Sequence, residues 1–215
     1  MELWLTRITP NPRSAEARAD LATAGNLHRR LMRLLPPEDL GDSPRRAAGL
    51  LFRVEESRQG TAVVAQSARK LDPVRLPHGY GQVEHRELSP LLDSLATGQP
   101  VRYRIVASPT KRVGRSAHHG LKETTTPLRG PEAEAWWRSR ARDNGLEPRS
   151  LITHDRADAV DNSRGRRIRH AAVMFQGVAE VTDVAAAREA VHRGIGRGKS
   201  HGCGLLSLAP LGGGE

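Results

Sequence analysis

Histidine, arginine and glycine carry the chemistry that this sequence can do. His28 follows a capping Thr23 or Asn26, in a stretch that repeats Ala24, Leu27, Leu31 and Leu35 at helical spacing until Pro36 and Pro37. It therefore falls in the first turns of a helix, one step off the apolar stripe, and Arg29, Arg30 and Arg33 follow it. An imidazole with an unperturbed pKa near ~6.5 exchanges protons at neutral pH, and cations around it can hold a phosphate. Such a pairing suits general acid or base catalysis on a phosphodiester. Spacing alone does not separate it from an ordinary surface histidine.

Three basic clusters lie further along. Arg102, Arg104, Lys111, Arg112 and Arg115 form a run without an acid, followed by His118 and His119. Arg164, Arg166, Arg167 and Arg169 precede His170, and the last cluster runs from Arg193 through Arg197 and Lys199 to His201. Each run read singly is a solvated face. Together they belong to a chain with 34 Lys plus Arg against 24 Asp plus Glu, a formal charge of +10, which favours a polyanionic partner and nucleic acid above all. Only four of the cations are lysines, so guanidinium forks suited to phosphate dominate. Aromatic residues make up only 3%, so stacking on single-stranded bases is poorly supplied and structured RNA is the better substrate.

Other chemistries score badly. The stretch Gly194, Gly196, Gly198, Lys199, Ser200 is rich enough in glycine to suggest a phosphate cradle, but position 193 is arginine where a P-loop needs glycine. His201 likewise occupies the last glycine position of the dinucleotide pattern, and the loop leaves a helix for a strand, the reverse of both motifs. What survives is a flexible basic loop able to bring backbone amides near a phosphate. No HExxH and no spaced cysteine pair occurs, and the acids Asp155, Asp158 and Asp161 are diluted by Arg156 and Arg164, so no metal site is expected. A single cysteine, Cys203, excludes a disulfide framework. Mean hydropathy of −0.54, without a long apolar run or a signal-peptide head, points to a cytoplasmic protein with no membrane partner.

The elements that must position these groups follow from punctuation and period. Leu3 to Ile8 reads as a strand, Ser14 caps a short helix to Ala22, and the His28 helix comes next. Leu50 to Val54 and Thr61 to Ala65 read as a strand pair, Leu88 to Leu95 as a helix, and Val101, Tyr103, Ile105 as a strand with Arg102 and Arg104 on its other face. That order is β-α-β-β-α-β. From about Lys122 it recurs: a strand to Leu128, a helix from Pro131 to Asn144, strands at Leu151 to His154 and Ile168 to Val181, a helix from Asp183 to Arg193, and a strand from Leu205 to Leu208. The expected fold is α+β, two tandem ferredoxin-like βαββαβ domains, residues 1–112 and 113–215.

The block His192-Arg-Gly-Ile-Gly-Arg-Gly-Lys199-Ser-His-Gly202-Cys-Gly-Leu-Leu-Ser-Leu208, with Val173 to Val178 and Val181 to Asp183 before it, resembles the CasE family. These are the CRISPR repeat-processing endoribonucleases of type I-E systems. The strand Val101 to Lys111 and the stretch Asn26 to Met32 resemble that family's other blocks in the same order, so the likeness spans the whole chain. It implies two ferredoxin-like domains, cleavage without a metal or other cofactor at the 3′ base of a CRISPR repeat hairpin, retention of the product, and membership of the Cascade complex. It carries the family's helical histidine onto His28 and places the loop with Arg164, Arg166 and Arg167 in the groove of the RNA stem. Gly25 stands where the family often has a tyrosine, so Arg29, Arg30 or Arg33 is the expected electrostatic substitute. A non-catalytic RNA-binding or scaffold subunit with the same fold is the alternative.

Overall fold

The computed structural model describes residues 2–36, 47–113, 124–161 and 168–211. The first unit begins with β1 (Trp4–Pro10), whose alternating burial places Ile8 in the core and Arg7 outside. Helix α1 (Ala15–Leu21) is capped by Ser14, whose hydroxyl accepts from the Ala17 amide. Helix α2 (Ala24–Arg33) is capped by Thr23, whose Oγ1 accepts from the Asn26 amide at 3.1 Å. Strands β2 (Leu51–Ser57), β3 (Gly60–Ser67) and β4 (Gly81–Glu87) complete an antiparallel sheet in the order β2-β3-β1-β4. Leu27 and Leu31 pack with Ile8, Phe52, Val63 and Tyr80, so one face of α2 is anchored on the sheet.

The second unit starts with β5 (Pro100–Ala107), reached through the short helix α3 (Ser89–Asp93). Strands β6 (Thr110–Val113) and β7 (Thr124–Pro127) pair with each other and lead into α4 (Gly130–Arg142). Then come β8 (Leu146–Pro148), β9 (Ile152–Asp161), β10 (Ile168–Val181), α5 (Val184–Arg193), a 3-10 turn at Lys199–His201 and β11 (Leu206–Pro210). The sheet runs β11-β5-β10-β8, with β9 also paired to β10. Its core gathers Tyr103, Ile105, Trp137, Phe175, Val191 and Leu206.

Both sheets have the strand order of a ferredoxin-like unit, as expected, but one strand changes owner. Val101 to Ile105, expected to close the first unit, pairs with β10 and β11 and opens the second. The missed strand β4 closes the first unit against β1, with a 3-10 turn at Pro73–Arg75 between β3 and β4, while the helix expected at Leu88 to Leu95 forms as α3 and leads into the second unit. A boundary after residue 112 would cut β5 from its own sheet; sheet membership changes between Glu87 and Pro100. The cause is visible in the residues of β4. Gly81-Gln-Val-Glu-His-Arg-Glu87 buries only one face lightly, so it lacks the apolar alternation that marks Val101-Arg-Tyr-Arg-Ile105.

The units are joined by a small apolar cluster of Leu51, Val64 and Leu205, with Leu5 against it. Two polar bonds flank it. Gln66 Nε2 donates to the Val191 carbonyl at 2.7 Å, and Arg53 Nη1 donates to Ser207 Oγ at 2.7 Å. Among the described residues no helix is long and apolar enough to cross a membrane.

Candidate functional site

Helix α2 leaves the first sheet's core on one side and meets β9 and the Lys199–His201 turn on the other. His28 lies on that second side, half-buried, with its ring 6.3 Å from Phe52 of β2 and tilted by 31°. Phe52 is in turn covered by the glycine loop. A Cβ on Gly202 would stand 3.3 Å from Phe52 Cε2, and Gly202 has φ of +82°, a left-handed conformation that glycine adopts at no steric cost. Glycine at 202 thus lets the loop lie against the ring beside the histidine.

A cleft of about 460 Å³ opens along this junction. Thr23, with Ala24 and Leu27 of the helix it caps, forms one wall, Asp155 to Val160 of β9 another, and His201, Gly202 and Cys203 a third. His28 is four residues after Ala24, so it shares that helix face one turn further along. Asp155 and Asp158 both accept from Arg129, at 2.9 and 2.7 Å, which draws their charge onto one guanidinium. Arg156 pairs with Glu56 at 3.0 Å across the cleft. Burial pushes the Cys203 thiol up to about 12, so it is no nucleophile at neutral pH. His170 and His201 bring their ring centroids to 4.9 Å, and burial first, then the charges of His201 and Arg197, hold His170 below the usual imidazole range.

The structure separates the cations that the sequence grouped with His28. At about 100° per residue, Arg30 and Arg33 point roughly 200° and 140° away from His28 around α2. Arg30 is bound to Asp20 at 2.6 Å and stacks on the Tyr80 ring at 5.5 Å, so it is a structural ion pair on the opposite side of the helix. Arg29 donates to Asn26 Oδ1, and Arg33 is exposed. Neither tyrosine replaces the phenol missing at Gly25. Tyr80 is buried under Arg30, its hydroxyl pushed far up by burial and by Asp20, and Tyr103 donates to the Ser150 carbonyl at 2.9 Å.

The other basic residues scatter as well. Arg102 and Arg104 face a different groove with Arg53, Gln176 and Ser207, and Arg104 reaches Glu55 at 3.4 Å. Lys199 donates to the Arg193 carbonyl at 2.7 Å, capping the end of α5. Lys111 is exposed on β6, while Arg112 and Arg197 line a recess beyond the glycine loop. Arg115, Arg164, Arg166 and Arg167 lie outside the described residues. Sequence reading missed Phe52 and Arg156, since an aromatic and a charge inside strands carry no signal until the chain is folded.

Known proteins resemble this chain over nearly its whole length. A family model described as CRISPR associated protein matches residues 3–210. The chain is 32% identical to the CRISPR-associated endoribonuclease Cse3 of Thermus thermophilus, covering 97% of this chain and 100% of that one. It is 28% identical to the CRISPR system Cascade subunit CasE of Escherichia coli, covering 86% and 91%. The structure of Thermus thermophilus Cse3 bound to an RNA representing a pre-cleavage complex superposes with a TM-score of 0.81 at 32% identity, over 98% of this chain and 100% of that. A chain of a CRISPR RNA-guided surveillance complex in a pre-nicking state matches with a TM-score of 0.66 at 47% identity, over 97% and 100%.

Proposed function

We propose the chain's function from one premise: it belongs to the CRISPR-associated protein family. It is an endoribonuclease that binds the CRISPR repeat hairpin, cleaves the precursor RNA at the 3′ base of the stem, keeps the product and acts as a Cascade subunit in the cytoplasm. The observation that carries the reading is the half-buried His28, its ring 6.3 Å from the Phe52 ring on which the glycine loop rests, beside a cleft in a strongly basic chain.

The chemistry is attack by the ribose 2′-hydroxyl on its own phosphate. The 2′-oxygen loses its proton as it bonds to phosphorus, the bond to the 5′-oxygen breaks, and that oxygen takes up a proton. A 2′,3′-cyclic phosphate and a 5′-hydroxyl result. His28 supplies one of the two proton transfers, worth typically ~10² to 10⁴ in rate. Charge developing on the phosphate is met by guanidinium groups and by backbone amides of the glycine loop, a role that preorganised donors fill in a partly enclosed site. The nucleophile belongs to the RNA, so no metal is needed to generate one.

Two RNA substitutions test this. A repeat hairpin with a 2′-deoxy nucleotide at the scissile position should bind and resist cleavage, while the all-ribose hairpin is cut at an undiminished rate in EDTA. A 5′-phosphate on the product, or dependence on added magnesium, would overturn the mechanism. Binding without any cleavage would leave the scaffold reading.

A further inference from the structure

Beyond the glycine loop from the His28 cleft lies a second recess that none of this chemistry uses. His201, Gly202 and Cys203 line the cleft, whereas Gly194, Gly196 and Arg197 line the recess, so the loop is a ridge between them. The recess measures about 780 Å³, within the range of sites that take small molecules, and β6, β7 and the end of α4 close it.

Its walls combine an aromatic face with positive charge. Trp136 and Trp137 are adjacent on α4, and side chains one residue apart point about 100° from each other. Trp137 is consequently fully buried in the core, while Trp136 stays half-buried and faces the recess. The Trp136 indole is braced by Phe175, with ring centroids 6.2 Å apart, and by Gly196, where a Cβ would come within 3.4 Å. Arg140, one turn along α4, holds its guanidinium 6.0 Å from the indole centroid and reaches exposed Asp143 at 3.4 Å. Arg112 and Arg197 complete the rim, and no described lining residue is acidic.

A braced indole ringed by guanidinium groups suits an unpaired nucleotide: its base offers a face for stacking and its phosphates meet the cations. A base inside a duplex has both faces covered. The geometry points to a binding site for the single strand that adjoins the hairpin on the 3′ side of the scissile phosphate, with one base on Trp136 and its phosphates on Arg112, Arg140 and Arg197. This rests on the function proposed above, which sets the scissile phosphate beside His28. A strand leaving that cleft over the glycine ridge enters the recess.

The test uses hairpins blocked by a 2′-deoxy nucleotide at the scissile position, either bare or extended by a short single strand on the 3′ or the 5′ side. The 3′ extension should tighten binding to the wild-type protein roughly ten-fold. Trp136→Ala should remove that gain, Arg140→Gln should reduce it, and Trp136→Phe should keep most of it. The readout is the ratio of two affinities for one variant, so a folding defect lowers both and cancels. A 2-aminopurine placed among the first 3′ unpaired nucleotides should be quenched by the wild-type protein and not by Trp136→Ala. No gain from the 3′ extension, a gain that survives Trp136→Ala, or a gain confined to the 5′ extension would overturn the inference and leave the recess to a partner of another class. Failure of the wild-type protein to bind even the bare hairpin would overturn the parent reading, an outcome distinct from hairpin binding without a flank effect.

Discussion

His28 and Arg30 sit two residues apart and point to nearly opposite sides of α2. His28 sets its half-buried ring against Phe52 on the side of α2 that meets β9 and the Lys199–His201 turn, whereas Arg30 is committed to Asp20 with the two side chains only 15% and 14% exposed. His28→Ala should therefore lower single-turnover cleavage by at least ~10²-fold and leave hairpin affinity within a few-fold. Near wild-type cleavage by that variant would remove His28 from the chemistry. Arg30→Ala strands the Asp20 carboxylate and uncovers Tyr80, so it should cost about 1–3 kcal/mol of stability, lowering the melting temperature by several degrees. Arg33→Ala, at an exposed position, should leave the melting temperature unchanged. Equal melting temperatures for the two variants would contradict the assigned ion pair.

The glycine loop is the element that ties chemistry to fold, since its two halves wall two separate recesses and its Gly202 rests on the ring beside His28. Gly202→Ala adds a side chain in a left-handed conformation, at about 1–2 kcal/mol, and crowds Phe52 at 3.3 Å. It should slow cleavage several-fold, because the phenyl ring that must yield also supports the imidazole. Gly60→Ala is the control. Its φ of +119° is comparably strained, yet nothing lies within 4 Å of the added Cβ, so Phe52 is not crowded, and stability should fall while the cleavage rate of the folded protein holds. A rate loss common to both variants would mean that strain, not the Phe52 contact, sets the effect.

Across the whole molecule, a net charge of +10 favours a polyanionic partner. Its arginines occupy separate surfaces, with Arg102 and Arg104 in one groove and Arg112 with Arg197 in another. Each guanidinium that neutralises a phosphate releases counterions, so hairpin affinity should fall steeply with salt. Replacing Arg164, Arg166 and Arg167 together by alanine should weaken hairpin binding and flatten the slope of log affinity against log salt by about 0.7 to 0.9 per contact removed. Saturating protein should largely restore the cleavage rate. Filter binding at several salt concentrations decides the matter, and an unchanged slope with unchanged affinity would take these arginines off the RNA.

The sequence by itself determined the α+β class, the two ferredoxin-like units, the capped helix that carries His28, and the basic balance that calls for RNA. Those are local or additive properties: a capping Thr23, an apolar repeat at 3.6 residues and a sum of charges need no knowledge of distant neighbours. Tertiary structure alone decided which side chains share a surface. Strand β5 joined the second sheet because hydrogen bonding to β10 and β11 is a pairing choice that its own residues do not encode, while the weakly alternating β4 took the vacant edge beside β1. In the same way Arg30 turned from the expected phosphate to Asp20, and Trp136 was set apart from its buried neighbour Trp137, because helix phase fixes direction only once the packed faces are known.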